Sequence, residues 1–127
     1  NLYNYLKVSL TNLKMFAKNF DKIVCYIEHP KTPSPVKGKI PKATAFSLAG
    51  GTMHFNKVDV MCILHRMTKE DLEDKLSKGD LLSRQLENLE NNINFVEFET
   101  VKMKSQRLNG KLGSNLLEYD FTTGRFK

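Results

Sequence analysis

The chain contains no tryptophan, only two cysteines and no run of about 18 apolar residues. Without such a run, we expect no membrane-spanning helix. Cys25 and Cys62 lie far apart in apolar stretches, which is typical of buried thiols in a reducing compartment rather than of a disulfide scaffold. No signal-peptide pattern is present, and the first residue is Asn1 rather than Met, so we expect a piece of a longer protein.

What the chain does contain is an excess of positive charge. Its 127 residues allow one domain at most, with 40% hydrophobic and 27% charged residues, as in ordinary globular proteins. The net charge is +6 and the isoelectric point is near 9.3. This balance favours an acidic partner such as nucleic acid or nucleotide.

The hydrophobic pattern predicts an α/β fold. Apolar residues spaced three and four apart predict an amphipathic helix over residues 2–20. The short apolar runs 23–27 and 60–64 are rich in β-branched residues, which predicts strands buried on both faces, as in a parallel sheet. A short helix is expected at 52–58.

The second half of the chain predicts further helices and then a hairpin. Thr68 and Asp71 have the spacing of a capping box, and Asp80 is placed to cap a second helix. Residues 95–103 and 115–121 are expected to be strands joined by a tight connection. The order of elements supports the α/β class.

A loop rich in proline and lysine occupies residues 29–43 and holds all four prolines of the chain. Its lysines could contact phosphates as point charges, or they could simply keep a solvated loop soluble. Both interpretations stay open on composition alone. The four lysines are Lys31, Lys37, Lys39 and Lys42.

Several common catalytic and metal sites are not supported. The Lys37-Gly38-Lys39 run lacks the first glycine and the hydroxyl residue of a phosphate loop. The histidines and cysteines lack zinc-ligand spacing, and no G-x-S-x-G elbow occurs. His29 follows a predicted strand, where α/β proteins bind ligands, but a polar residue closing a strand explains it equally well.

The strongest signal is a series of motifs in a fixed order along nearly the whole chain. They are YIEHPK at 26–31, SLAGGTMHFNKVD at 47–59, a strand ending in Arg66, KSQRLNGKLG at 104–113, Tyr119, and TGRF at 123–126. In order and spacing they resemble the C-terminal half of the RecA-like motor of hexameric replicative DNA helicases. The similarity is to the phage primase-helicases and the mitochondrial helicase Twinkle.

This resemblance implies a partial RecA-like, P-loop NTPase-type sheet with flanking helices and a C-terminal β-hairpin. Residues 1–127 would then form the C-terminal half of a helicase motor domain, with a helical insertion at about 67–93. The implied parent is an ATP-dependent replicative helicase or primase-helicase that uses ATP and Mg, with neither bound to this chain alone. The implied partners are single-stranded DNA and identical subunits in a hexameric ring, and no membrane partner is implied. The implied location is the cytoplasm of a bacterium or of a phage-infected host.

The resemblance also implies roles for individual residues. Arg107 is similar to the arginine finger supplied to the neighbouring subunit's ATP, His29 to a γ-phosphate sensor, and Asn56 to a sensor-type amide. The implied nucleotide-binding residues are Arg66, Tyr119 and Lys104. The implied DNA-binding residues are Lys31, Lys37, Lys39, Lys42 and Gly50, and no metal ligand is implied.

The chain also departs from the family pattern. It contains neither Walker A nor Walker B, so we expect no ATP hydrolysis by this chain alone. Ala49 stands where phage relatives often carry an arginine. The alternative function is a non-enzymatic, basic α/β module that binds nucleic acid or another protein. A recombinase-type RecA fold ranks lower, because it lacks the FNKxD run found at 55–59.

Overall fold

The computed structural model of the chain describes residues 1–31, 41–79 and 94–127. Within them the elements are α1 (Leu2–Asn19), α2 (Gly51–Lys57), β1 (Val60–Arg66), α3 (Lys69–Ser77), β2 (Phe95–Met103), α4 (Gln106–Asn109), β3 (Gly113–Asp120) and β4 (Arg125–Phe126). The strands form an antiparallel sheet in the order β1-β2-β3-β4. The structure thus combines helices and strands, as the predicted α/β class requires, but the sheet is antiparallel rather than parallel as expected.

The three predicted helices that fall on described residues form as α1, α2 and α3, where the local signals place them. The Asn1 side chain caps α1 by accepting a hydrogen bond from the Tyr3 amide at 3.0 Å. At α3, the Asp71 amide donates to Thr68 Oγ1 at 3.2 Å, and the Thr68 amide donates to Asp71 Oδ2 at 2.8 Å. This reciprocal pair is the predicted capping box, and it satisfies donors that the first helical turn leaves without partners.

The strand predicted at residues 23–27 is wrong. The run is not part of any strand, and Ile23 is 98% exposed and Ile27 88% exposed. A strand needs a neighbour to supply ladder hydrogen bonds, and in the described part of the chain no strand pairs with this run. The prediction that Cys25 is a buried thiol is wrong for the same reason, since this side chain is exposed.

The strand predicted at 60–64 is confirmed as β1, but its burial is not as expected. Exposed and half-buried residues alternate along β1, and Leu64 is 67% exposed. Its neighbour β2 runs antiparallel, as the backbone bonds from Lys104 to Asp59 and from Met67 to Phe95 show. An antiparallel sheet commonly leaves one face to solvent, so Cys62 is also exposed rather than buried.

The C-terminal hairpins agree with the alternating pattern of the sequence. β2 has the predicted bounds, and β3 pairs with β4 in the register Tyr119↔Phe126 and Asp120↔Arg125. The Asp120 carboxylate accepts hydrogen bonds from the Lys127 ammonium at 2.8 Å and the Thr122 amide at 2.9 Å. These bonds close the hairpin and hold the pKa of Asp120 well below its usual range.

The chain divides into two compact units. Unit 1 comprises Asn1–Ile63 and Thr100–Gly113, and unit 2 comprises Leu64–Glu99 and Ser114–Lys127. In unit 1, α1 packs against α2, with Leu10 and Met53 buried. Unit 2 has its own apolar core, formed by Met67, Leu72 and Phe95 with Leu116 packed against them.

Unit 2 also buries one carboxylate. Glu97 is 5% exposed, and its carboxylate lies 2.9 Å from the Lys75 ammonium of α3. Burial of a charge is costly unless it is paired, and this ion pair satisfies that requirement.

Two predicted regions extend beyond the described residues. The helix predicted after Asp80, and with it most of the expected insertion at 67–93, lies outside them. So does the greater part of the loop at 29–43, including Lys37 and Lys39. Among the helices that the structure describes, none is long and apolar enough to cross a membrane.

Candidate functional site

The glycine-rich turn before α2 is fixed by close packing in unit 1. Gly50 is the N-cap of α2 and has φ +73°, a left-handed conformation that glycine adopts without strain. Gly51 is buried, and a Cβ at this position would lie 2.6 Å from the backbone oxygen of Phe46. A side chain at residue 51 would therefore displace the backbone, so this approach requires glycine.

A buried histidine ties this turn to the YIEHPK segment. His54 on α2 is 2% exposed, and its Nε2 lies 3.2 Å from the Ala49 carbonyl oxygen. Because a carbonyl oxygen only accepts, Nε2 carries the hydrogen. In the neutral ring Nδ1 then accepts from the Tyr26 hydroxyl at 3.0 Å. The Tyr26–His54 pair thus links the two motif segments of unit 1.

A backbone hydrogen bond also joins the YIEHPK segment to the glycine-rich turn. The Lys31 amide donates to the Ser47 carbonyl at 3.0 Å. Tyr26 and Lys31 flank His29. The segment that carries the predicted phosphate sensor is therefore bonded at one end to α2 and at the other to the turn before α2. The first two motifs are therefore neighbours in space, although His29 itself is exposed.

Tyr26 is perturbed by its surroundings. Burial, and to a smaller extent the negative charge of Glu28, raises the pKa of Tyr26 above its ordinary value. Both causes disfavour the phenolate, and the His54 Nδ1 needs the proton of the phenol to make its hydrogen bond. The neutral phenol is therefore the form that links the two segments.

We expect Tyr26→Phe to lower the free energy of unfolding at pH 7 by about 1 kcal/mol, because it leaves His54 Nδ1 without its donor. In the wild type, the unfolded phenol ionises near its ordinary pKa of about 10, while the folded phenol keeps its proton to a higher pH. Stability from Tyr26 is thus complete below pH 10 and is lost as the pH rises above it. Urea unfolding at pH 7 and across pH 9–11 measures both effects.

The control for this prediction is Tyr5→Phe, because Tyr5 is 68% exposed on α1. It should leave the free energy of unfolding unchanged at pH 7. The steeper loss of wild-type stability above pH 10 should disappear in Tyr26→Phe and persist in Tyr5→Phe. Equal curves for all three proteins would contradict the role of the Tyr26 hydroxyl.

Asp59, the residue just before β1, forms ion pairs with two lysines. Asp59 accepts a hydrogen bond from the Lys14 ammonium of α1 at 2.9 Å, and the Lys104 ammonium lies 3.7 Å away. The hydrogen bond from Lys14, aided by the charges of both lysines, outweighs partial burial and lowers the pKa of Asp59. Lys104, a predicted nucleotide ligand, is thus an ion-pair partner of Asp59 in this structure.

The structure places the predicted site residues in both units. Arg66 lies at the end of β1 and Tyr119 in β3, both in unit 2, where the Tyr119 ring contacts the rings of Phe121 and Phe126. The described members in unit 1 are His29, Lys31, Lys42, Gly50, Asn56, Lys104 and Arg107. Gly50 and Asn56 share one helix, with Gly50 at its N-cap and Asn56 exposed near its end.

Arg107 lies on a short, constrained connection between β2 and β3. Ser105 before it has φ +59° and ψ +51°, and Gly110 after it has φ +123°. A left-handed non-glycine residue costs on the order of 1 kcal/mol, and such residues cluster at functional sites. The turn holds α4 at the end of the strand pair with the Arg107 side chain exposed.

The described residues bring together no group of three or more His, Cys, Asp or Glu side chains that could hold a metal ion. In comparisons with protein-family models, curated proteins and solved structures, the chain gives no match. The candidate site therefore depends on the motifs and on the contacts within unit 1. The sequence motifs do not predict the bond between His54 and Tyr26, because these residues lie 28 positions apart. They do not predict the Lys31–Ser47 bond or the pairing of Lys104 with Asp59 either.

Proposed function

We propose that this chain is the C-terminal half of the RecA-like motor of an ATP-dependent replicative DNA helicase or primase-helicase. The observation that carries this proposal is the double link in unit 1, through Tyr26–His54 and Lys31–Ser47. It joins the segment of the predicted phosphate sensor, His29, to the turn of the predicted DNA contact, Gly50. This link supports a motor in which the phosphate sensor and the DNA contact respond to each other.

The proposal gives each candidate site residue a role in ATP binding or hydrolysis. Arg107 stabilises charge that develops on the γ-phosphate of a neighbouring subunit's ATP, while His29 and Asn56 respond to the phosphate state. Arg66, Tyr119 and Lys104 bind the nucleotide. ATP and Mg are held mainly by phosphate-loop residues that this sequence does not contain.

The exposed apolar side chains of the run at 23–27 support the proposal that another part of the motor packs against them. β-Branched Ile23 and Ile27 are almost completely exposed, although apolar side chains of this kind are usually among the most buried. In the proposed motor, the rest of the RecA-like domain covers these side chains.

The test is salt-dependent binding of the chain to a thymine oligonucleotide, followed by fluorescence anisotropy. Neutralising Lys31, Lys37 and Lys39 to glutamine should weaken binding. It should also reduce the slope of log K against log salt by about 0.7 for each phosphate that is no longer neutralised. The control removes the same charge from the exposed residues Lys7, Lys18 and Lys22 of α1 and its C-terminal end. Equal decreases in affinity for both variants would contradict the loop assignment.

A second candidate, a non-enzymatic basic module that binds nucleic acid or a protein, is favoured by the net charge of +6. The coding sequence upstream of Asn1 separates the two. An in-frame G-x-x-x-x-G-K-[ST] motif supports the motor, whereas a start codon directly at Asn1 contradicts it.

A further inference from the structure

An exposed phenylalanine lies on a rigid turn just before the glycine-rich segment. Phe46 is 59% exposed. The turn is held by the Thr44 amide, which donates to Ser47 Oγ at 2.8 Å, and by the Ser47 amide, which donates to the Thr44 carbonyl at 3.1 Å. The Phe46 amide itself donates to Thr44 Oγ1 at 3.3 Å. The position of Phe46 is therefore fixed by its own backbone.

The ring is supported from the protein side. Its centroid lies 5.2 Å from that of Phe55 on α2, at an interplanar angle of 45°. The Lys102 ammonium lies 4.8 Å from the Phe55 centroid and also donates to the Phe55 carbonyl, which fixes Phe55 in turn. Behind the turn, Gly51 lies directly against the Phe46 backbone. Little conformational entropy remains to be lost when a ligand contacts this ring.

A lysine is joined through its backbone to the turn that carries Phe46. The backbone of Lys31 is hydrogen-bonded to Ser47, the residue after Phe46, and the Lys31 side chain is exposed. A supported aromatic ring next to a basic segment is the combination by which proteins bind single strands, with bases stacked on the ring and phosphates near the cation. The net charge of +6 favours a polyanion over an apolar protein surface.

We propose that Phe46 stacks against a base of single-stranded DNA while Lys31 contacts a backbone phosphate. This inference rests on the proposed function and deepens it, because it names the chemical group that the turn binds. Stacking on one ring tolerates any base, so the site adds affinity without reading sequence.

The absence of tryptophan makes a direct test possible. Phe46→Trp introduces a single indole, which should keep the affinity for a thymine oligonucleotide and lose fluorescence on stacking. Phe46→Ala should weaken binding at least about fivefold. It should leave the salt dependence unchanged, because the same cations still neutralise the same phosphates. Phe121→Ala, which removes a ring that is 65% exposed in unit 2, is the matched control and should bind like the wild type.

An oligonucleotide with abasic sites completes the design. The wild type should bind it at least about fivefold more weakly than the thymine strand, whereas Phe46→Ala should bind both alike. Phe46→Leu, which keeps an apolar side chain on the turn, replaces Phe46→Ala if the alanine variant does not fold.

The outcomes separate this inference from the proposed function. Salt-dependent binding with equal affinities for wild type and Phe46→Ala, or unchanged indole emission at saturation, overturns the stacking site and leaves the helicase proposal standing. If the wild type binds neither oligonucleotide, the proposed function itself fails at its DNA-binding step. Binding of another protein through Phe46, with no effect on DNA affinity, also overturns the inference.

Discussion

Arg107→Ala should lower DNA-stimulated ATP turnover by about 10³- to 10⁵-fold in the proposed motor, prepared with its phosphate loop. The guanidinium lies exposed on α4, where the left-handed Ser105 holds the connection. In the proposed motor it reaches a neighbour's γ-phosphate. The decrease should appear in kcat, since the charge that it stabilises develops in the transition state. Steady-state turnover at saturating DNA measures it.

Three controls make this result specific. Gln106→Ala changes the exposed neighbour on the same helix and should keep full turnover. Arg107→Lys keeps the charge but loses the planar fork, so turnover should be restored only in part. Binding of a non-hydrolysable ATP analogue should be nearly unchanged in all three variants.

The role in trans needs its own experiment. Arg107→Ala subunits with an intact phosphate loop, mixed with subunits that lack a working phosphate loop but keep Arg107, should regain turnover at the shared interfaces. Neither variant should be active by itself. Failure of the mixture to regain activity, or full turnover by Arg107→Ala alone, would contradict the finger assignment.

Leu72→Ala should have the largest effect on stability in unit 2, a decrease of about 2–5 kcal/mol in the free energy of unfolding. Leu72 is 0% exposed and lies in the core with Met67 and Phe95. Removing its isobutyl group reduces apolar burial and leaves a cavity that these neighbours fill only in part. Urea unfolding followed by circular dichroism gives the value.

The chain offers a matched control for that measurement. Leu64→Ala is the same chemical change at a position of unit 2 that is 67% exposed, and it should cost no more than about 0.5 kcal/mol. Leu72→Met, which nearly conserves volume, should cost less than about 1.5 kcal/mol. Similar destabilisation by Leu72→Ala and Leu64→Ala would contradict the described core.

Features that depend on residues close together in the sequence could be predicted from the sequence. α1 follows from its helical spacing, and the start of α3 follows from the reciprocal bonds of Thr68 and Asp71. The bounds of β2 follow from its alternating side chains. The run at 23–27 has equally clear local signals, yet a strand also needs a partner, and no local pattern reveals whether one is present.

In the candidate site, too, local signals could be predicted from the sequence, whereas contacts between distant residues could not. The motifs predict roles for His29, Gly50 and Arg107 because these signals are local in the sequence. The bond between Tyr26 and His54 joins residues 28 positions apart. The pairing of Lys104 with Asp59 likewise depends on the antiparallel register of β1 and β2, which the expected parallel sheet did not include.

The Tyr26–His54 bond has a consequence for how sequences related to this one can change. A hydroxyl at residue 26 and a ring nitrogen at residue 54 stabilise the fold only as a pair, so substitutions at these two positions should be correlated. Cys25, next to Tyr26 but exposed, carries no such constraint and should vary independently. Paired variation at positions 26 and 54 would identify the related proteins that retain this hydrogen bond.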